Sequence, residues 1–599
     1  MQKIENQIIV SFDLAYKGAV NTPKPVILDK NGGTLGEKFP SDPVRSKYDF
    51  LGWYASGKKY TKDTFISESI TLKARWISDS ELMEGTAANP LLKGDFPDPS
   101  IIRVDNVFYM SSTTMYFMPV CPIMKSYDLV NWELVSYPSD IIEDLPNFRL
   151  ETENADLIGD YGRGQWATSL RYFNSRYWVI FANNTTKKTY LFHTDDIEKG
   201  NWQRIVYSRQ YHDPSLFFDE VNNKIYIVHG YNNITLTEME QDLSREKPGG
   251  INRTLFPQSI FTAVGGSGTE GTHIFKANNY YYAFLITWIS GVRSVLCCRA
   301  QSITAPLEEW ELRRVLQKGL GSRSGGVAQG SIIDTPSGDW FGYFFQDRDA
   351  VGRVPVLVPM RWGEDMWPVF GDEKGNIPLE FPIMLIRKPK PNIYMSDDFG
   401  NNNLQLAWQW NHNPDNTNWS LGERPGYLRL KTGRVDRTIY HARNTLTQRT
   451  YEPACTAEIA LEPVSMKDGD IAGLVVLQAT SGFIGIEQDN GTQYVVMYTG
   501  DNEDTAKGQN AVVTRKAQVP FTGNRIYLKA RCQFKTNTSN SETAVFSYSL
   551  DGETWQNIGT TVNLRYTLVH FTGARFGLFN YATKESGGYV DFDYYRIND

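Results

Sequence analysis

Five short polar signatures recur through the middle of the 599-residue chain. They are Phe96-Pro97-Asp98-Pro99-Ser100, Gln165-Trp166-Ala167-Thr168-Ser169-Leu170, His212-Asp213-Pro214-Ser215-Leu216, Thr269-Glu270-Gly271-Thr272-His273 and Ala328-Gln329-Gly330-Ser331. Three of them carry a carboxylate: Asp98, Asp213 and Glu270. A single Asp-Pro pair usually does no more than start a turn, since both residues favour one. Three acids at one offset of a repeat point instead to a shared pocket. Carboxylates that converge in a partly dry pocket push their pKa values apart. One then stays protonated and can protonate a leaving oxygen, while another stays ionised and can activate water. That division of labour is what glycoside hydrolysis requires.

The signatures need elements that bring them together. Each precedes, by about ten to thirteen residues, a turn residue followed by an aromatic-led strand pattern: Asn106-Val107-Phe108-Tyr109, Asn174-Ser175-Arg176-Tyr177-Trp178, Asn223-Lys224-Ile225-Tyr226, Asn279-Tyr280-Tyr281-Tyr282 and Gly338-Asp339-Trp340-Phe341. Tryptophan-bearing segments such as Asn131-Trp132, Asn201-Trp202 and Glu309-Trp310 follow as blade closers. The copies repeat every 45 to 70 residues or so, a step that includes propeller blades. Helical periodicity is nearly absent. An irregular β-sandwich is the competing arrangement, but five strand–turn–strand copies predict a five-bladed β-propeller over residues 79–388. The inner strands of such a propeller carry equivalent positions to one axis.

Two further units flank it. Within residues 1–78, Ile8-Ile9-Val10-Ser11-Phe12 and Ile70-Thr71-Leu72-Lys73-Ala74 alternate apolar and polar as half-buried strands do, around Asn31-Gly32-Gly33 turn chemistry. Polar residues from Ser78 to Ala88 read as a linker, and Lys388-Pro389-Lys390-Pro391 as a stiff, extended one. Residues 389–599 alternate in many short runs, for example Tyr427-Leu428-Arg429-Leu430-Lys431, punctuated by turns such as Asp489-Asn490-Gly491. This predicts a β-sandwich and makes the whole chain all-β.

Composition removes other classes. The net charge is −7 and no Lys/Arg-rich block occurs, so no nucleic-acid partner is expected. No apolar run approaches the length of a membrane span. Aromatics make up 13% of the chain, which suits sugar handling. The seven histidines contain no HExxH pattern, and the five cysteines contain no CxxC pair. Cys455 and Cys532 share the C-terminal third and could pair, but buried free thiols are the favoured reading. The first residues lack the apolar core of a signal peptide, so none is expected within this chain.

The motifs also carry a resemblance. Asn89-Pro90-Leu91-Leu92, Gly94-Asp95-Phe96-Pro97-Asp98-Pro99-Ser100-Ile101, Asp213-Pro214-Ser215-Leu216-Phe217-Phe218-Asp219 and Glu270-Gly271-Thr272-His273-Ile274 resemble glycoside hydrolase family 43, in their spacing as well. The similarity runs from about residue 89 to 599 and favours the β-xylosidase and α-L-arabinofuranosidase branch, whose appended domain is a concanavalin-like sandwich. Residues 7–77, with Phe50-Leu51-Gly52-Trp53-Tyr54, resemble the Listeria–Bacteroides repeat, a small β-grasp-like module of exported and surface proteins. This implies a bacterial protein exported to the periplasm, the surface or the medium.

The resemblance implies that Asp98 is the general base, Asp213 the helper that tunes and orients the acid, and Glu270 the general acid, in single-step inversion. That mechanism places the Asp98 and Glu270 carboxyls about 6.5–9.5 Å apart. Trp166 is a candidate pocket wall. Arg353 matches an arginine that hydrogen-bonds the terminal sugar with its planar donors. Met115-Tyr116-Phe117 falls where the family places an aromatic at the pocket floor; which side chain enters stays open, and Phe117 is the candidate. Gln329 stands where many relatives place a histidine that supports a metal or water cluster, which puts an axial calcium in doubt. In related sandwiches, acids at the two ends bind a structural calcium, and the spacing favours Asp398 with Asp593, with backbone carbonyls completing the shell. No organic cofactor is expected. The reading is an exo-acting inverting hydrolase releasing terminal β-D-xylose or α-L-arabinofuranose from plant cell-wall oligosaccharides or polysaccharides. An endo-arabinanase or galactosidase specificity and a non-catalytic carbohydrate-binding protein are the alternatives.

Overall fold

A computed structural model describes residues 7–55, 58–78, 80–153, 156–157, 159–321, 325–502, 511–534 and 542–599. The chain divides into two compact units: residues 1–86 with 382–389, and residues 87–381 with 390–599.

In the first unit a five-stranded sheet runs in the order Val26–Asp29, Gln7–Asp13, Ile70–Ser78, Tyr48–Ala55, Lys58–Tyr60. Its central pair, Gln7–Asp13 with Ile70–Ser78, is parallel and the other pairs are antiparallel. The alternation read from the sequence decides the faces: Val10, Phe12, Leu72 and Ala74 turn inward around the fully buried Trp53.

The second unit holds five antiparallel four-stranded sheets. Their inner strands are Ser100–Val104, Gln165–Phe173, Ser215–Asp219, Gly266–Ala277 and Ala328–Asp334. Each touches the next and the fifth touches the first, so the ring closes into a five-bladed propeller. The aromatic-led patterns form each blade's second strand, as in Tyr280–Ile289 and Trp340–Asp347. Serines at one offset stitch neighbouring blades: Ser100 accepts the Leu170 amide, Ser169 the Leu216 amide and Ser331 the Ile101 amide. Burying these hydroxyls costs little because each is hydrogen-bonded.

Two eight-stranded sheets form the sandwich. Its core is one large apolar cluster that includes Leu428, Ile459, Leu474, Leu528, Phe576 and Phe592. One of the eight strands comes from the propeller: Phe117–Met118 pairs with Gln409–Asn411. A buried ion pair, Arg348 with Glu452 at 2.6 and 2.9 Å, also joins propeller to sandwich. Cys455 and Cys532 lie directly opposite each other on adjacent strands as free, fully buried thiols. No helix among the described residues is long and apolar enough to cross a membrane.

Candidate active site

The inner strands enter the ring through a shared irregularity. Asp98, Asp213 and Gln329 all adopt left-handed backbone, with φ of 53°, 44° and 52°, and Gly271 does so at 63°. Non-glycine residues in this region are uncommon and cost of order 1 kcal/mol or more each, so surrounding structure must hold them there. The shared conformation identifies Asp98, Asp213, Gly271 and Gln329 as equivalent positions. Glu270 therefore stands one residue before its expected place. A double register shift on its strand, on either side of Glu270, provides for this. A bulge of this kind re-aims a side chain, and Glu270 reaches the other acids by that route.

Asp98 is nearly buried and accepts from Thr113 Oγ1 at 2.7 Å and from Arg353 Nη1 at 3.1 and 3.2 Å. Asp213 accepts from Gln329 Nε2 at 3.2 Å. A Cβ on Gly271 would come within 2.9 Å of the Gln329 side chain, so a larger residue there would displace this contact. Burial pushes the Asp213 pKa up; His212 opposes the rise, Glu270 and Asp98 add to it, and the value reaches about 7. His212 Nε2 lies 2.7 Å from Glu270 Oε2 and 3.8 Å from Asp213 Oδ1. Burial disfavours its charged form, but these two carboxylates outweigh burial and raise its pKa to about 9. Asp98, Asp213 and Glu270 thus belong to one electrostatic cluster. His212 is part of the signature but was given no role from the sequence, because a histidine before Asp-Pro has no motif of its own.

The pocket wall is shared between domains. Trp166 packs against His212 on one side and against Phe571 of the sandwich on the other, each at 6.0 Å. The Arg353 guanidinium stacks on Phe571 at 4.3 Å. Asp95, just upstream of Asp98, holds this junction: its carboxylate accepts the Arg353 amide at 2.8 Å and the Gly573 amide at 2.9 Å. Neither Phe571 nor Asp95 was singled out from the sequence. Phe571 lies in a loop remote in the chain, and only docking of the sandwich brings it to the site.

Phe117 does not form the pocket floor. Its strand pairing with the sandwich turns the ring into the interior, where the Arg575 guanidinium stacks on it at 3.7 Å. The proposed calcium pair also fails to assemble. Asp398 is ion-paired with Arg596, and Asp593 with Arg525. Each carboxylate already faces a guanidinium, which is no part of a calcium shell. Along the propeller axis, Arg171 donates to Ser215 Oγ at 3.2 Å and lies 3.3 Å from His273 Nδ1. Burial, then Arg171, depress the His273 pKa to about 3. A guanidinium in this channel opposes an axial cation. Among the described residues, the one grouping compact enough to grip a metal is His212, Asp213 and Glu270, the same groups that form the acid cluster.

The profile of glycosyl hydrolases family 43 matches residues 87–368, and that of the β-xylosidase C-terminal concanavalin A-like domain matches residues 396–598. The chain belongs to glycoside hydrolase family 43. It is similar to a β-xylosidase of Formosa agariphila, at 28% identity over 88% of this chain and 92% of that one. It is also similar to a non-reducing end α-L-arabinofuranosidase of Bacteroides ovatus, at 27% identity over 67% and 75%. A solved structure described as a bifunctional GH43-CE of Bacteroides eggerthii shares 43% identity with a TM-score of 0.79; it covers 86% of this chain, which spans 64% of its length. As a family 43 member the chain is a glycoside hydrolase, and the family's chemistry needs no organic cofactor.

Proposed function

We propose that this chain removes terminal β-D-xylose, and α-L-arabinofuranose presented in the same orientation, from the non-reducing ends of xylan-derived glycans, with inversion. In this reading Asp98 is the general base, Glu270 the general acid, and Asp213 the helper that orients Glu270 and tunes it. The observation that carries the reading is the convergence of the three acids beneath a wall completed by Phe571. Arg353, held by Asp98 and stacked on Phe571, presents its guanidinium edge to the hydroxyls of a terminal sugar. Phe571 of the sandwich packs on both Trp166 and Arg353, and a wall on that side favours a chain end over a chain passing through. The relatives' names, β-xylosidase and α-L-arabinofuranosidase, support the two sugars.

Xylohexaose tests both halves of the proposal. The first products should be xylose and xylopentaose in equal amounts, and proton NMR should find the released xylose first as the α-anomer. Xylobiose, xylotriose or xylotetraose as first products would overturn exo action, and a first-formed β-anomer would overturn inversion.

A further inference from the structure

A general acid sits beside the oxygen of the group it expels, so the leaving sugar must lie on the Glu270 side of the pocket. Two partly exposed aromatic rings, Tyr231 and Trp288, lie on that side. The turn after Lys224–His229 is locked to the strand that carries Glu270: the Asn232 amide donates to the Thr269 carbonyl at 2.7 Å, and the Thr269 amide donates to Asn232 Oδ1 at 3.1 Å. This lock sets the Tyr231 ring edge-to-face against His212 at 5.8 Å, and His212 in turn touches Glu270.

Two residues before Glu270, Gly268 takes left-handed backbone, at φ 61°. A Cβ there would lie 3.4 Å from both the Tyr231 hydroxyl and Trp288 Cδ1. Tyr231 and Trp288 therefore both approach the bare backbone of Gly268. Trp288 is held in turn: it lies opposite Ser267 in the sheet, and the Arg293 guanidinium stacks on it at 4.8 Å while ion-paired to Asp347 at 2.8 Å. Despite these supports the two rings remain 54% and 38% exposed, unlike Trp166 and Phe571 in the pocket wall. Two supported, wet aromatic faces over a glycine floor leave apolar surface that a flat ring would cover.

We propose that Tyr231 and Trp288 form the subsite for the leaving group and take the next pyranose ring of a xylan-type oligosaccharide. The axial C–H faces of a pyranose are apolar and its edge is hydroxylated. Such a ring suits aromatic faces, with the Tyr231 hydroxyl at its edge. The subsite rests on the proposed reaction, because it takes Glu270 as the acid. It adds a selection for sugar leaving groups over small ones.

The test compares kcat/KM for xylotriose and for β-D-xylopyranosyl fluoride, whose leaving group is too small to reach either ring. Tyr231→Ala and Trp288→Ala should each lower the xylotriose value about five- to tenfold more than the fluoride value. Tyr231→Phe and Trp288→Phe, which keep a ring, should recover most of the loss. Equal losses on the two substrates, no loss on xylotriose, or no recovery in the Phe variants would overturn the subsite. A wild-type chain inert on both substrates would refute the proposed reaction, and the subsite with it.

Discussion

In the propeller, Asp98, Asp213 and Glu270 arrive from three inner strands and share two cationic partners, Arg353 and His212. In the sandwich, Asp398 is ion-paired with Arg596, and Asp593 with Arg525, which also pairs with Glu462 at 3.3 Å. The difference follows from topology. A closed ring of inner strands forces equivalent positions to one axis, and acids placed there crowd whether or not cations accompany them. The ends of a sandwich sheet impose no such convergence, so each acid finds the nearest guanidinium. Crowding without full neutralisation perturbs proton affinity, which is what a catalytic site uses.

The comparison breaks most visibly in turnover. Asp98→Ala and Glu270→Ala should each lower kcat on xylo-oligosaccharides by about 10²–10⁴-fold, whereas Asp398→Ala and Asp593→Ala should leave it unchanged. An aryl glycoside with a good leaving group needs less protonation. Steady-state kinetics should therefore show a much smaller loss for Glu270→Ala on that substrate and a full loss for Asp98→Ala. Equal losses for Glu270→Ala on both substrates would remove it as the acid.

Stability separates the two regions next. Arg353 and Asp98 are a buried pair, 3% and 5% exposed. Arg353→Ala strands the carboxylate and should cost about 3–5 kcal/mol in denaturant unfolding of the unit. Asp398→Ala deletes an exposed pair and should cost at most about 1 kcal/mol.

A pH series sharpens the comparison further. In the propeller cluster the pKa of Asp213 is pushed up to about 7 and that of His212 to about 9. The folded site thus binds protons more tightly than the unfolded chain does. Its contribution to stability is present at acid pH and declines as pH rises through about 7 and then 9. Melting temperature followed from pH 6 to pH 10 should fall accordingly, and His212→Asn should remove the upper part of the fall. The smallest effect concerns metal. With Asp398 and Asp593 held by arginines, a chelator should not move the melting temperature; a chelator-sensitive sandwich would show that calcium displaces those guanidinium groups.

The sequence by itself determined the all-β architecture, the five repeats and the three acids, because alternation, turn chemistry and repeat offset are local properties that survive in one dimension. It also placed Trp166 near the acids, since Trp166 sits on the second repeat signature, whereas Arg353 lies on the third strand of the fifth blade and was reached only through the family resemblance. The tertiary structure decided what depends on closure and docking. A bulge, which alternation does not register, brings Glu270 in from one residue upstream of its equivalent position. Sandwich docking carries Phe571 into the pocket wall and pulls Phe117 out of it, through a strand pairing between Phe117–Met118 and Gln409–Asn411. The arginines that meet Asp398 and Asp593, and the Arg171 that meets Ser215 and His273, are likewise neighbours that only the tertiary structure supplies. The physical reason is common to these cases. A side chain's period along its own strand is written in the sequence, but the neighbour it meets is set by hydrogen-bond registers between strands far apart in the chain.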